Sequence, residues 1–409
     1  TPASWKVPIT FTFASRAAVD WVKTTPRYWI TDQALTFLSN AYSSDWFIFN
    51  LKASGFYRFL YNTSNLNFIK NQLTSSFLNI DEVSHATIVD DVISLALSGA
   101  MNYSTALSFL QDTSKHERFP VWVSTIGALQ RLKIGLYGTT AYTLYQDYVK
   151  RMLNHIYGHV GYESKTNDTL SVDFMRNLIL PWACEFQVGD CMNVSREMSK
   201  YGFSSNTSSN YAQMLCAAFR SYNVTQFQEF FTFYKQNHLQ NNFQYYIAFA
   251  MGCVTNQTNV DNVLKALLNG EIYDEDVETV FTNIGNRQEN VDAVLNVIVK
   301  NISVIREKYG SQLLMKLVYQ IASHLYTQDQ VNKLATLLNF TTDPLIASAA
   351  LTIVPRESVR VARALEDVEA LNAALLSVKP HSDSVRTTQS VFIIVSTLAA
   401  VVFFQRSTL

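Results

Sequence analysis

The chain contains few cysteines, and none of them is arranged as a metal-binding pair. The 409 residues include four, and no two are spaced as C-x-x-C, which argues against a zinc knuckle or a thioredoxin-type site. An even number would suit two disulfides in an oxidising compartment, but spacing alone does not choose among the three pairings. Buried free thiols are the alternative. The four residues are Cys184, Cys191, Cys216 and Cys253.

The motif of a hydrolytic zinc site is also missing. Such a site needs two histidines one helical turn apart and a glutamate base, as in H-E-x-x-H. The only His-Glu pair is His116–Glu117, and the place of the second histidine is taken by Pro120, which would also break the helix. His155 and His159 are four residues apart but have no partner acid, so we expect a structural or surface role for them. The sequence predicts no metal ligands in this chain.

Other catalytic signatures are absent as well. There is no G-x-S-x-G elbow, no P-loop and no dinucleotide glycine fingerprint. Asp90 and Asp91 are adjacent, so on a helix of 3.6 residues per turn they point about 100° apart and cannot share one substrate proton. We interpret them as hydrogen-bonding groups at a helix end or between helices. No catalytic residue is predicted.

The charge balance excludes a nucleic-acid partner. Thirty-two basic residues face thirty-three acidic ones, with no basic stripe and no acidic run. The chain is 48% hydrophobic and 13% aromatic, so it can bury large cores, and its length suits two or three domains. It begins at Thr1 without a methionine or a signal peptide. We therefore expect a fragment, and a missing motif does not show that the parent protein lacks it.

Residues 1–62 have the pattern of strands. In "WKVPITFTF", apolar residues alternate from Val7 to Phe13, which predicts strands with one buried face. "DWFIFN" and "GFYRFLYN" are two further β-rich runs, separated by Leu51–Ser54 and followed by the flexible Gly55, so we expect a hairpin. This region is predicted to be a small β-sandwich domain, itself incomplete.

Residues 63–378 have the period of helices. One apolar stripe runs from Val291 to Ile305, and a second from Val361 to Leu375. Asp343–Pro344 resembles a helix N-cap followed by proline at the first helical position. Many amphipathic helices in series, without a strict repeat, predict a mainly α fold, an irregular HEAT- or armadillo-like α-solenoid.

Residues 379–409 change character again. A small polar segment precedes "VFIIVSTLAAVVFF", whose fourteen residues fall short of the roughly 20 that span a bilayer as a helix. Small residues, a polar spacer and a short hydrophobic tail are the order of a GPI-attachment signal, with Ser382 as the predicted attachment residue. A buried C-terminal helix and a transmembrane anchor extended into residues 387–390 are the alternatives.

Nine Asn-x-Ser/Thr sequons suggest a glycosylated ectodomain. They are Asn62, Asn102, Asn167, Asn193, Asn206, Asn223, Asn256, Asn301 and Asn339. Asn102 lies in "GAMNY", which is similar to the Gly-x-Met-Glu-Asn amine anchor of zinc exopeptidases but lacks its glutamate. Since Gly99 stands where a helix C-terminal glycine is expected, we interpret this string as a turn.

Taken in order, several strings resemble the C-terminal half of the M1 family of zinc aminopeptidases, the aminopeptidase N type. In that family a β-sandwich ends with an asparagine, a short turn and Gly-Tyr-Tyr-Arg, matched here by Asn50 and 55–58. A following helix carries Arg-Ala-Gln-x-x-Asp-Asp, matched here by 85–91, with His85 in place of the arginine and Thr87 in place of the glutamine. Arg176 matches an arginine in the helix before the first cysteine.

The resemblance also implies the cysteine pairing. The family's membrane-bound members have one pair separated by six residues and a second by about thirty-five. Cys184–Cys191 and Cys216–Cys253 have this spacing. By the loop-entropy model each closure would stabilise the fold by roughly 2–4 kcal/mol.

The family further implies a function for the parent protein. Its catalytic zinc and glutamate base lie upstream, so none of those residues is carried over to this chain, and its helical domain closes over the active site as a bowl. The resemblance implies peptide substrates and a GPI-anchored location on the outer face of the cell membrane, as on insect gut surfaces. It also implies toxin binding in some members and is compatible with a homodimer. The alternative hypothesis is a non-catalytic, GPI-anchored binding or receptor protein that uses the concave face of the solenoid.

Overall fold

The computed structural model describes residues 6–14, 21–31, 45–76, 79–200, 210–237, 244–339, 344–378 and 401–403. Within these ranges the chain forms sixteen α-helices and six strands of three residues each. The prediction of a mainly helical fold is therefore confirmed.

The strands lie mostly before the helices. They are β1 (Val7–Ile9), β2 (Phe11–Phe13), β3 (Tyr28–Ile30), β4 (Phe47–Phe49), β5 (Arg58–Leu60) and β6 (Val401–Phe403). The helices are α1 (Thr63–Ser76), α2 (Glu82–Leu97), α3 (Tyr103–Asp112), α4 (Phe119–Leu136), α5 (Tyr142–Val160), α6 (Leu170–Glu185), α7 (Cys191–Lys200), α8 (Tyr211–Arg220), α9 (Val224–Asn237), α10 (Gln244–Met251), α11 (Gln257–Asn269), α12 (Asp274–Gly285), α13 (Val291–Ala322), α14 (Gln328–Asn339), α15 (Pro344–Glu366) and α16 (Val368–Ser377).

The strands pair differently from the prediction. β1 pairs with β3, β2 with β4 and β5 with β6, all antiparallel. The predicted hairpin between β4 and β5 is wrong, because Asn50 has a left-handed φ of 54° and a 3₁₀ turn follows it at Leu51–Ala53. The turn directs β5 away from β4, so the two strands contact through side chains. The rings of Phe49 and Phe59 stack with centroids 4.1 Å apart.

The alternating segment at the N-terminus divides into two strands. Val7, Ile9 and Phe11 are buried as predicted, but the intervening Thr10 and Thr12 are buried as well. Thr10 is accommodated because its Oγ1 accepts a hydrogen bond of 2.9 Å from the backbone nitrogen of Leu51. A buried hydroxyl is stabilised by such a partner, and this bond ties the junction of β1 and β2 to the turn after β4, whereas the hydroxyl of Thr12 has no partner among the described residues.

Helix boundaries follow capping residues that are visible in the sequence. Asp81 accepts hydrogen bonds from the backbone nitrogens of Val83 and Ser84 and so begins α2. Gly99 has a φ of 77° just beyond the end of α2, as predicted for a helix C-terminal glycine. Pro344 is the first residue of α15, as predicted, whereas Asp343 lies outside the described residues.

The two predicted apolar stripes have different outcomes. The stripe from Val291 to Ile305 lies on α13 and is confirmed, since most of its members are buried. The second stripe is not one helical face, because α15 ends at Glu366 and α16 begins at Val368. Leu365, in the last turn of α15, is 50% exposed.

The chain divides into two compact units. The first comprises residues 1–130 and 370–409, and the second residues 131–369. In the first unit the strands bury an apolar cluster that includes Phe11 and Tyr57. In the second unit most contacts join helices that are one or two positions apart in the chain, such as α7 with α8, α8 with α10 and α10 with α12. The limits predicted at 62/63 and 378/379 stay predictions.

The C-terminal segment is described only in part. Val401–Phe403 pairs with Arg58–Leu60 as β6, and Ser382 with the rest of the predicted attachment signal lies outside the described residues. Among the helices that the structure describes, none has the length and apolar character needed to span a membrane.

Candidate functional site

The turn at Asn50 is closed by the side chain of that residue. Its Nδ2 donates to the carbonyl oxygens of Gly55 and Tyr57 at 3.0 and 2.9 Å, and its Oδ1 accepts from the Gly55 nitrogen at 2.8 Å. A Cβ at position 55 would lie 2.3 Å from the Tyr57 ring, so the close approach requires glycine. These residues are the first half of the family resemblance, and they fix where Arg58 leaves the turn.

The second half of the resemblance lies against Arg58. Arg58 forms ion pairs with both Asp90 and Asp91, and Asp91 Oδ2 accepts a hydrogen bond of 3.0 Å from the backbone nitrogen of Phe59. Although burial opposes it, the two carboxylates hold the pKa of Arg58 above its ordinary value. The aspartates are hydrogen-bonding groups as expected, but their partner is a strand instead of another helix. They join β5 to α2, and we name this contact the Arg58 clamp.

A buried histidine pair joins α2, which also carries the clamp aspartates, to the segment before α4. His85 and His116 are 1% and 4% exposed, and their rings meet edge to face with centroids 4.9 Å apart. Neither ring nitrogen of His85 has a hydrogen-bond partner among the described residues. Burial, followed by the charges of His116 and Arg118, lowers the pKa of His85 well below its ordinary value.

His116 has the same electrostatic character. Burial and the charge of Arg118 lower the pKa of His116 to about 4, against the opposing charge of Asp112. Both histidines are therefore neutral at pH 7. In the sequence, His116 was considered only as a zinc ligand and was rejected. The spacing of the histidines along the chain did not indicate that His116 would contact His85.

Both disulfides of the second unit join the pairs that the family resemblance implies. Cys184 is bonded to Cys191, and Cys216 to Cys253. Within the described residues no cysteine is free.

Arg176 is buried beside the first disulfide-bearing segment. Its side chain is 0% exposed and forms ion pairs with Asp168 and Asp173. Its Nε donates to the carbonyl oxygen of Val160 at 3.0 Å. A buried guanidinium needs this number of partners, so Arg176 holds the loop before α6 and does not face a ligand.

The second unit also contains a cluster of charges that the sequence did not reveal. Glu185 bonds Lys133 and lies 4.0 Å from Arg220. Arg220 in turn contacts Glu289 at 2.6 Å. The Nη2 of Arg287 lies 3.1 Å from both sulfurs of the Cys216–Cys253 disulfide. We call Lys133, Glu185, Arg220, Arg287 and Glu289 the charge cluster.

The charge cluster has an excess of positive charge. Burial alone would raise the pKa of Glu185, but the charges of Lys133 and Arg220 lower it to about 2. Burial and the charge of Arg220 lower the pKa of Arg287 to about 10. Glu185 and Arg287 are thus both charged at neutral pH, and by residue type the cluster has three basic side chains against two carboxylates.

Two donors of the cluster are buried without a hydrogen-bond partner. They are Nη1 of Arg220 and Nε of Arg287. Unpaired buried donors of this kind are costly, so each calls for a partner such as a water molecule, an ion or a ligand group. Oε2 of Glu289 is a buried acceptor without a partner as well, but the two donors and the excess of basic side chains favour a negatively charged group of a ligand. The sequence did not predict the charge cluster, because its members lie up to 156 residues apart in the chain, from position 133 to 289.

No metal centre was found in the described part of the chain. There, no group of three or more histidine, cysteine, aspartate or glutamate side chains is placed to hold a metal ion. His155 and His159 are exposed on α5.

Most of the sequons lie at the surface. Six of the asparagines are exposed, and Asn301 is half-buried, with its Nδ2 donating to the carbonyl oxygen of Val297 within α13. The side chains of Asn206 and Asn339 lie outside the described residues. The exposed six are Asn62, Asn102, Asn167, Asn193, Asn223 and Asn256.

The chain matches a known protein family over most of its length. The family model of the ERAP1-like C-terminal domain matches residues 46–354, which is 309 of the 409 residues. The chain belongs to this family. The match includes the Arg58 clamp, both disulfides and the charge cluster of this ERAP1-like C-terminal domain.

Curated relatives agree with the family. Aminopeptidase N of Plutella xylostella is 22% identical over 364 residues, covering 85% of this chain and 38% of the relative. Membrane alanyl aminopeptidase of Manduca sexta is 26% identical over 274 residues, covering 66% and 27%. The thyrotropin-releasing hormone-degrading ectoenzyme of Rattus norvegicus is 21% identical over 352 residues, covering 82% and 32%. The resemblance to the C-terminal part of M1 aminopeptidases is confirmed, and the chain spans about a third of the length of these relatives.

The Arg58 clamp predicts unequal effects for its two aspartates. Asp91→Ala should lower the free energy of unfolding by about 3 kcal/mol, because it removes the buried one of the two carboxylate partners of Arg58 and leaves the Phe59 N–H buried and unsatisfied. Asp90 is 35% exposed, so Asp90→Ala is the matched control and should cost about 1 kcal/mol or less. Denaturant titration measures both. Equal losses would contradict the clamp as described.

The histidine pair predicts weakening in acid. Because both folded-state pKa values lie below that of a free histidine, the unfolded state binds protons first as the pH falls. Each histidine should then cost about 1.4 kcal/mol of stability per pH unit between about 6.5 and the folded-state pKa, and stability is regained as the pH rises. His85→Leu should flatten the profile measured by unfolding from pH 7.5 to 4.5. The control His155→Gln, at an exposed site, should leave it unchanged, and a flat profile in the parent sequence would refute the idea.

Proposed function

We propose that this chain is the C-terminal, non-catalytic part of a cell-surface zinc aminopeptidase that removes N-terminal residues from peptides. The observation that carries the proposal is the match of residues 46–354 to the ERAP1-like C-terminal domain. Relatives whose names state an aminopeptidase activity, each about three times as long as the matched part, support it.

The described residues of this chain do not fit a zinc site, so the metal would be held by a part of the parent outside this chain. When bound there, zinc would polarise the peptide carbonyl and help generate the attacking hydroxide. The full reading frame tests this directly. An intact H-E-x-x-H followed about eighteen residues later by glutamate supports the enzyme. Its loss would instead favour the binding or receptor role.

The proposed architecture is a β-sandwich at residues 1–62 followed by an α-solenoid at 63–378. The paired strands around Phe11 and Tyr57 support the sandwich. Helix contacts restricted mainly to chain neighbours in the second unit support the solenoid, because each repeat of a solenoid contacts only adjacent repeats.

Within this architecture we assign the charge cluster to the wall of the substrate cavity. A peptide substrate of an aminopeptidase carries a carboxylate at its far end, and the cluster has one excess cation and the unpartnered donors of Arg220 and Arg287. A carboxylate is the group that such donors bind best. The cluster would then hold the far end of short peptides while the catalytic part acts on the first residue.

Two further features support a location outside the cell. Disulfides are typical of oxidising compartments, and this chain has two. Six exposed sequons suit glycosylation. We propose a GPI anchor at Ser382, with the following hydrophobic tail as the attachment signal.

The role of the charge cluster predicts a substrate-dependent defect. In the parent enzyme, Arg287→Gln should raise KM about tenfold for tripeptides with a free C-terminal carboxylate, the loss of one charge-assisted hydrogen bond. KM for an amino-acyl amide without a carboxylate should stay unchanged. Lys316→Gln removes a surface cation of the same unit and is the control. An equal change in KM for both substrates would contradict the placement of the charge cluster in the wall of the substrate cavity.

The anchor proposal predicts release by enzyme treatment. Phosphatidylinositol-specific phospholipase C should free the native protein from membranes, because a GPI anchor places only a lipid in the bilayer. Release is measured by immunoblotting of the soluble and membrane fractions. Retention would favour the transmembrane anchor extended into residues 387–390.

A further inference from the structure

Helices α1 and α3 pack side by side and run in the same direction. Lys70 bonds Ser108 at 2.9 Å and forms an ion pair with Asp112 at 2.7 Å, while Thr63 and Ser104 line one cavity near the start of the two helices. Contacts that advance together along both helices mean that the helices are parallel. Their N-terminal ends therefore lie together.

The cavity between these ends is small and mixed in character. Its volume is about 260 Å³, slightly below the roughly 300 Å³ where ligand pockets usually begin, so it suits a single sugar ring better than a peptide. Hydroxyl groups come from both helices and an amide and an ammonium group from α1, while Leu66 and Phe109, 2% and 1% exposed, lie buried behind them. The polar lining residues are Thr63, Asn67, Lys70, Ser104, Thr105 and Ser108.

Two glycosylation sequons lie at the same place. Asn62 precedes Thr63, and Asn102 stands two residues before Ser104. Both asparagines are exposed, and both turn their Oδ1 into a helix. That of Asn62 accepts from the Asn65 nitrogen at 2.8 Å, and that of Asn102 from the Ser104 nitrogen at 2.8 Å. Each side chain is thus held in one orientation, while the amide nitrogen that would carry a sugar is the other atom of the same planar group.

We propose that this cavity seats the first N-acetylglucosamine of a glycan on Asn102. Asn102 is chosen over Asn62 because the hydroxyl residue of its own sequon, Ser104, lines the cavity, whereas Ser64 of the other sequon does not. Side chains on a helix lean toward its N-terminus, so Ser104, Thr105 and Ser108 lean toward Asn102. An N-acetylglucosamine ring offers hydroxyl and acetamido groups to these side chains.

The inference rests on the proposed location outside the cell. The full chain is produced in secretory cells, and peptide mass spectrometry follows the release of each glycan from the native protein by peptide-N-glycosidase. The glycan on Asn102 should be released at least tenfold more slowly than the glycan on Asn167, which lies in an exposed loop. Denaturation should abolish the difference.

Variants that fill the cavity test whether the slow release of the glycan on Asn102 depends on the cavity or on the general surroundings of Asn102. Ser108→Phe, or Thr105→Phe should the first variant fold poorly, should raise the release rate at Asn102 to that at Asn167. Ser75→Phe, on an exposed part of α1, is the matched control and should preserve the protection. Equal release rates in the unaltered protein, or an empty Asn102 beside other occupied sequons, would overturn the inference and leave the proposed location standing. A protein with no occupied sequon would overturn both.

Discussion

The need to pair buried charge is the constraint on which both units depend. Asp91 is 5% exposed, and burial raises the pKa of its carboxyl to about 6, against the opposing effects of the Phe59 backbone nitrogen and Arg58, which are its partners there. Arg176 is fully buried and is held by two aspartates and a carbonyl oxygen. An unpaired charge in such a position would cost several kcal/mol, so these contacts determine where strand, loop and helix lie.

The same constraint distinguishes structural groups from a candidate ligand site. The Arg58 clamp and Arg176 have their partners within the fold, and they leave no role for a substrate. The charge cluster differs, because Arg220 and Arg287 keep buried donors without a partner and the cations outnumber the carboxylates. This imbalance is the reason for proposing the cluster, and not the Asp90–Asp91 pair, as the place where a substrate group binds.

Local signals in the sequence predicted local structure well. Gly99 and Pro344 mark helix ends that the structure places at or beside those residues, because caps and left-handed glycines act within one turn of backbone. The pairing of β4 was missed. Strand pairing joins residues far apart in the chain, and the left-handed Asn50 that redirects β5 leaves no periodic pattern. The second apolar stripe failed likewise, since spacing alone does not show that α15 ends before Val368.

The sequence by itself determined the mainly helical class, the absence of familiar catalytic motifs and the membership of an aminopeptidase-like family. Composition, periodicity and ordered strings of residues carry that information directly. Only the tertiary structure decided that Arg58 meets Asp91, that His85 meets His116 and that Lys133, Glu185 and Glu289 share one cluster. These contacts are made by packing between elements that lie tens of residues apart, and the free energy of burying each charge depends on partners that the linear order does not name.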